Sequence, residues 1–417
     1  MKKNTYLLIL GVLVTLSSFA QKGLNPHTYA FINIKNNSSI PLKNYPVTIP
    51  VSEITALFHD YTGQRIGIFD GKKEIQSQFD DLDKDGTLDE VSFLIDLDAN
   101  DNEKLLVRML PPNFEIPNFE KELFAELVTK EKIDSTYKYT LVQEASSDKD
   151  DMYNKMHHHG VAFESELIAY RLYFDKKQTV DVYGKITPRL EIPLTQWYPN
   201  DKQMASGDYG ADIIKVGSSV GVGTFTGWSG TEALHFDQVS KRTQRIVVAG
   251  NVRNVVEIEV EGWQYAGKSI DAKIRYIQFA HHRDAKVEVH FKPDFNDSLI
   301  FCTGVLKLKD NKSHTDKGGL VGSWGWTFPE PDTIKYKRQT LGVGVFVPDV
   351  YAKSQAEDKR NNLVLISNNG TPTLTYYLTA AGLLEKKGYK TAQEFFNYLD
   401  AWKKELSTNV EISISEK

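Results

Sequence analysis

Period-two alternation dominates the chain. In "VEIEVEGW", Val256, Ile258 and Val260 fall on one side and Glu257, Glu259 and Glu261 on the other. That is the period of a half-buried antiparallel strand with its acids in water. The same alternation runs through "TYAFINIKN", "YPVTIPV", "EVSFLIDL" and "EKLLVRML", and predicts a small β-sandwich over residues 21–112. "PPNFEIPNFEKELFAELV" reads as a linker leading into a short helix. Longer strands follow, among them "ELIAYRLYF", "TVDVYGKI", "ADIIKVG", "AKIRYIQFA" and "TLTYYLTAAG". So many long strands predict one large two-sheet sandwich over residues 113–417. One helix stands out at the C-terminus, where Thr391 is placed to cap a stripe of Phe395, Leu399, Trp402 and Leu406. The expected fold is all-β, in two domains, with a C-terminal helix.

The first twenty residues break this pattern. Lys2 and Lys3 precede the apolar run "YLLILGVLVTL", and "SSFA" supplies small residues before a cut after Ala20. A cleavable secretory leader over residues 1–20 is expected, and with it a periplasmic address. No later stretch approaches the roughly eighteen consecutive apolar residues of a membrane span, so no membrane insertion is expected. Losing Lys2 and Lys3 takes the formal charge from −5 to −7, which argues against nucleic acid as a partner. A small anionic substrate remains compatible, because a few local cations outweigh a distant field. Cys302 is the lone cysteine, so no internal disulfide staples the exported chain. Oligomeric state is not legible.

Several local patterns carry chemistry. In "DDLDKDGTLDE" the acids Asp81, Asp83, Asp85 and Asp89 surround Gly86, as a loop holding Ca²⁺ requires. Ser92 stands where an EF-hand needs glutamate, and the flanking segments are strands, so this is either a structural Ca²⁺ loop between strands or an acidic turn. "GSSVG", Gly217 to Gly221, matches the nucleophile-elbow spacing. It lacks the following helix, so a sharp bend is expected instead of a serine nucleophile. The stretch "MHHHGVAFESELIAYRLYFD" is the richest. His157 and His159 can share a face and bind Zn²⁺ with Glu164 or Glu166, or one imidazole can serve in acid–base catalysis. Arg171, in mid-strand among apolar neighbours, must pair with a buried acid or hold an anionic ligand. Asp212 and Lys215 fall at the ends of a short strand in "DYGADIIKVG", and "AHHRD" sets His281, His282 and Arg283 in a turn. Trp197, Tyr198, Trp228, Trp263, Trp324 and Trp326 fall near turns, where aromatic faces either stack on sugars or pack.

The strings "QSQFDDLDKDGTLDEVSFLIDL", "HHGVAFESELIAYRLYFDKKQTVDVYGK", "GADIIKVGSSVGVG" and "NVRNVVEIEVEGW", in this order, resemble a family of secreted Bacteroidota proteins. That family was long described only as a domain of unknown function, and it is associated with polysaccharide-utilisation loci. The resemblance spans nearly the whole mature chain. His159, Gly160, Glu164, Tyr170, Arg171, Tyr173, Gly184, Lys185, Asp212, Lys215 and Gly217 match its motif positions. It implies a galactose-mutarotase-like supersandwich for the large domain. One member type is an ulvan oligosaccharide dehydratase, which leaves a 4,5-unsaturated uronate and requires no cofactor for the chemistry. Removing the C5 proton beside a carboxylate needs a base, an acid for the departing 4-hydroxyl, and a cation for the charge that develops. Under that reading Arg171, helped by Lys215, holds the carboxylate and His159 takes the proton. Tyr170 or His158 donates to the hydroxyl, and Glu164 orients a histidine. Asp212, Tyr198, Trp263 and Trp326 contact the sugar. Tyr170 and Arg171 are strand neighbours and should face opposite ways, so only one of them can serve unless a bulge intervenes. Two rivals share the fold: an aldose mutarotase or epimerase with a His acid and a Glu base, and a non-catalytic glycan binder that relies on its aromatics.

Overall fold

The computed structural model describes residues 28–115, 117–148, 152–327 and 339–416; the expected leader lies outside them. Alternation in the first strand, Tyr29–Asn36, turns Ala30, Ile32 and Ile34 inward against Val47, Ile49, Val91, Phe93 and Val107. These residues fill a small sandwich. Its five-stranded sheet runs Val410–Ser415, Tyr29–Asn36, Asn102–Met109, Ile66–Asp70, Lys73–Glu74, and its three-stranded sheet runs Leu42–Pro50, Glu90–Leu97, Ser77–Asp80. One correction to the expected 113–417 domain follows. The last strand leaves the large domain and pairs antiparallel with the first, Ile414 opposite Ile32.

The large domain packs a nine-stranded antiparallel sheet against two five-stranded ones. Val256, Ile258, Ile274, Val287 and Val289 of the former meet Phe163, Leu172, Val182, Val305 and Val364 of the latter in one core. Bridges Val180–Gly221 and Val222–Val305 join the two five-stranded sheets, so the architecture is the expected all-β supersandwich. The short helix expected after the linker is instead the strand Leu123–Glu126, captured by the edge of Gly160–Ser165. Pairing with a neighbour overrides local propensity there. A second correction concerns Glu257. It does not face water but is buried between Arg245 and Arg275 of adjacent strands.

The C-terminal helix, Ala392–Leu406, begins as expected: Thr391 Oγ1 accepts the Glu394 N–H at 3.2 Å. Its apolar stripe lies against glycines of the nine-stranded sheet. A Cβ on Gly342 would stand 2.5 Å from the Phe395 ring, and one on Gly344 2.5 Å from Leu399. Glycine is therefore required for close approach. Gly342→Val is expected to lower stability by about 1–3 kcal/mol, the usual range for overpacking, measurable by chemical denaturation. Among the described residues no helix is long and apolar enough to cross a membrane.

Candidate active site

The strand Gly160–Ser165 turns at Glu166–Leu167 into Ile168–Tyr173, and Val180–Gly184 pairs beyond it. Opposite residues in the register share a face, so Ala162, Arg171 and Asp181 line up across the sheet, as do Glu164 and Ala169. Val161, Phe163, Tyr170, Leu172 and Val182 point the other way, into the core. The parity of Tyr170 and Arg171 is thus resolved in favour of Arg171. Tyr170 is fully buried and its hydroxyl donates to the Arg283 carbonyl at 2.5 Å, which removes it as the acid for a leaving hydroxyl.

Arg171 is the hub. Its Nε donates to Asp181 Oδ2 at 2.7 Å, Nη1 to the Tyr198 hydroxyl at 2.8 Å, and Nη2 to the Tyr173 hydroxyl at 2.8 Å and Asp212 Oδ2 at 2.9 Å. The guanidinium also lies 4.6 Å from the centre of the Trp197 ring, whose Nε1 donates to Asp212 Oδ2 at 3.2 Å. The Tyr173 hydroxyl in turn donates to Asp181 Oδ2 at 2.6 Å. Burial opposes the charge on Arg171, but Asp181 and Asp212 outweigh it and hold the pKa well above its ordinary value. The expected carboxylate clamp therefore needs correcting. Arg171 is 2% exposed and already faces two acids, so it positions the tyrosines and aspartates rather than gripping a substrate.

Two groups at this cluster keep chemistry available. Tyr198 is 48% exposed and accepts from Arg171, whose nitrogens only donate, so its own proton is free. Burial raises its pKa and keeps it protonated. Asp212 is pushed up to about 7, first by burial and then by the charge of Asp181, while Arg171 pulls the other way.

The three histidines diverge. His157 Nε2 pairs with Gln196 at 3.0 Å, His158 Nε2 with Glu126 at 2.5 Å, and His159 Nδ1 with the Tyr153 carbonyl at 2.9 Å. Among the described residues no histidine belongs to a metal-holding group. His158 is fully buried, so it cannot meet a substrate directly. His159 stacks on Tyr153, ring centres 3.7 Å apart, and lies 6.3 Å from the Tyr173 ring. A carbonyl only accepts, so His159 Nδ1 must carry the hydrogen, and in the neutral ring Nε2 carries the lone pair. Burial lowers the His159 pKa, the Tyr153 carbonyl opposes it, and the Arg171 charge lowers it further.

The remaining expected residues separate. Glu164 orients no histidine. It is buried, accepts the Glu191 and Ile192 N–H groups, and pairs with buried Lys185 at 2.5 Å. Lys215 is exposed, its backbone fastened to Thr327, outside the Arg171 cluster. Trp263 is core, stacked on Tyr265 at 4.7 Å, and cannot touch a sugar. Trp326 lies on the nine-stranded sheet and donates to Asp310. Ser219 is buried, its hydroxyl spent on the Val216 carbonyl, in the expected bend. His282 is held by Asp284 and the Asn44 carbonyl in a cavity of about 520 Å³ between the domains, where Arg283 pairs with Glu385. Sequence reading missed Asp181, Tyr153 and Glu126. An aspartate alternating with apolar residues in "TVDVYGK" was the available signal for the first.

In the Asp-rich loop, Asp81, Asp83 and Asp89 offer oxygens within 4.8 Å of one another. Asp85 does not join them; its carboxylate caps the Thr87 N–H. Asp81 Oδ1 is buried without a hydrogen-bond partner. Asp80, next in the chain, pairs with Arg253 of the large sheet at 2.7 Å, so the loop sits at the joint of the domains.

A family model described as a domain of unknown function, DUF4861, matches residues 34–412. The chain belongs to this family. It is similar to "Uncharacterized protein P7" of Formosa agariphila, 25% identical over 452 aligned residues, 99% of this chain and 100% of that protein. Among solved structures, a glycosyl hydrolase family 38 protein of Enterococcus faecalis and an α-mannosidase of Enterococcus faecalis V583 each align with TM-score 0.44 and 10% identity. They cover 92% of this chain, which spans about half of their length, 47% and 46%.

Proposed function

We propose that this DUF4861 protein is an exported carbohydrate-active lyase. It removes water from the non-reducing-end uronate of ulvan-type oligosaccharides and leaves a 4,5-unsaturated uronate. The resemblance of its motif strings supports the substrate class. One observation carries the chemistry: the Tyr153 carbonyl fixes the tautomer of His159, which leaves a basic Nε2 beside the cluster that holds Tyr198. His159 Nε2 takes the C5 proton while, in the same step, the C5–H electrons form the C4–C5 double bond and the C4–O bond breaks. No stepwise carbanion builds up, so the cation that Arg171 and Lys215 do not supply is not required. Tyr198 donates its proton to the departing hydroxyl, and Arg171 holds that phenol in place. Arg171 and its two aspartates carry a net negative charge when both acids are ionised. The site therefore accepts a uronate with Asp212 protonated. A mutarotase with a glutamate base is disfavoured, because Glu164 is locked to Lys185.

The pH profile tests this reading. His159 must be neutral, and its pKa lies below the ordinary value of about 6.5. Asp212 must be protonated, up to about pH 7. Activity on uronate-ended oligosaccharides is expected to fall on both sides of a narrow neutral optimum, and Asp212→Asn to remove the alkaline limb alone. An unchanged alkaline limb in that variant would contradict the assignment.

We further propose that Asp81, Asp83 and Asp89 hold a structural Ca²⁺, with no part in the chemistry. At about 100-fold its Kd such an ion adds about 2.7 kcal/mol to stability. Calcium is expected to raise the thermal midpoint and EDTA to reverse it, whereas Asp81→Asn abolishes the response.

A further inference from the structure

The antiparallel ribbon Val128–Ile133 and Thr136–Leu141 stands beside the histidine stretch. The Val128 carbonyl accepts the His157 N–H at 2.8 Å, and Thr129 bridges Met156. Tyr137 and Tyr139, two positions apart, share one face and are 50% and 51% exposed. Their register partners, on the same face, are Lys132 and Lys130. Glu131, the acid within the ribbon's strands, falls on the opposite face across from Lys138. The ribbon has thus sorted its side chains: two phenols and two ammonium groups on one side, with no carboxylate among them. This occurs in a chain whose formal net charge is −5.

That face is continuous with the candidate active site. The Tyr139 ring lies 4.6 Å from the His157 ring, and the Tyr137 and Tyr139 rings are 6.4 Å apart. The Lys130 ammonium sits 4.9 Å from the Tyr137 ring centre, and its charge is felt at both His157 and His159. Exposed tyrosines bind flat, partly apolar rings at little entropic cost, and ammonium groups beside them select for anionic ones. We propose that this ribbon face is an extended subsite for the sugar units that follow the reacting uronate in an anionic oligosaccharide. It rests on the reading of the Arg171–His159 cluster as the reacting site. The occupant is a polyanionic saccharide, because a neutral glycan would leave Lys130 and Lys132 without a counter-charge.

The test compares wild type with Tyr137→Ala/Tyr139→Ala and with Lys130→Ala/Lys132→Ala. All four positions are on the two-stranded ribbon, and thermal midpoints check that the fold persists. Equilibrium binding of ulvan di- and tetrasaccharides is measured by calorimetry, alongside KM and kcat on the same sugars. Each double variant is expected to weaken tetrasaccharide binding about tenfold, with disaccharide binding unchanged. The tyrosine variant leaves kcat unchanged, whereas the lysine variant moves only the acid limb of the kcat profile, upward in pH, because His159 loses a neighbouring cation. The lysine variant alone should lose most of the salt dependence. Equal effects on both lengths, or none on either, would overturn the subsite. If wild type binds the tetrasaccharide through the ribbon but turns over neither sugar, the lyase reading fails and the subsite stands. If wild type turns over both sugars and the variants match it, the reverse holds.

Discussion

Arg171→Met is expected to abolish turnover and to lower stability by about 3–5 kcal/mol, the cost of stranding a buried partner charge. Asp181 is fully buried and its Oδ2 takes both Arg171 and Tyr173, so loss of the guanidinium leaves that carboxylate with the Tyr173 phenol and the Val182 N–H but without the cation that paired it. Tyr198 loses the donor that positions it, and Asp212 loses its neighbouring cation. Arg171→Lys is expected to fail similarly, since one ammonium cannot reach four partners spread around a planar fork. Adding Asp181→Asn to Arg171→Met removes the stranded charge and should recover part of the stability without restoring activity. Chemical denaturation and initial rates separate the two effects. A stable, active Arg171→Met variant would overturn the account of the hub.

The second large effect belongs to His159. His159→Asn is expected to lower kcat by about 10²–10⁴-fold, the usual contribution of a positioned base. Asparagine suits the left-handed backbone there, φ 64°, so the fold should persist. Stability changes little because the imidazole is only partly buried, with one hydrogen bond and one stacked ring. If the rate fell less than tenfold, His159 would not be the base.

Much of this was legible in the chain. Alternation placed Val256, Ile258 and Val260 in the core, and the stripe Phe395, Leu399, Trp402 placed the terminal helix with its Thr391 cap. Mid-strand Arg171 signalled a buried acid or an anion, and strand parity separated it from Tyr170. Partners distant in sequence were not legible. Glu164 meets Lys185 only because registers across three strands bring them together, and His158 meets Glu126 only because Leu123–Glu126 pairs with Gly160–Ser165. The turn at Glu166–Leu167 contains no glycine, proline or asparagine, so nothing local marks where one strand ends and the next begins. Trp263 looked like a stacking platform because the sequence places it near a turn, yet the long strand Arg253–Tyr265 continues through a bulge and buries it. The return of Val410–Ser415 to the first sheet had no local signal at all, since a strand's partner is a property of the fold.

The most direct test is to incubate the purified protein with saturated, uronate-ended ulvan oligosaccharides and follow ultraviolet absorbance and product mass together. Loss of one water with the rise of a conjugated chromophore, absent in His159→Asn and unaffected by EDTA, is the predicted result. Unchanged mass and absorbance across a panel of such oligosaccharides would contradict it.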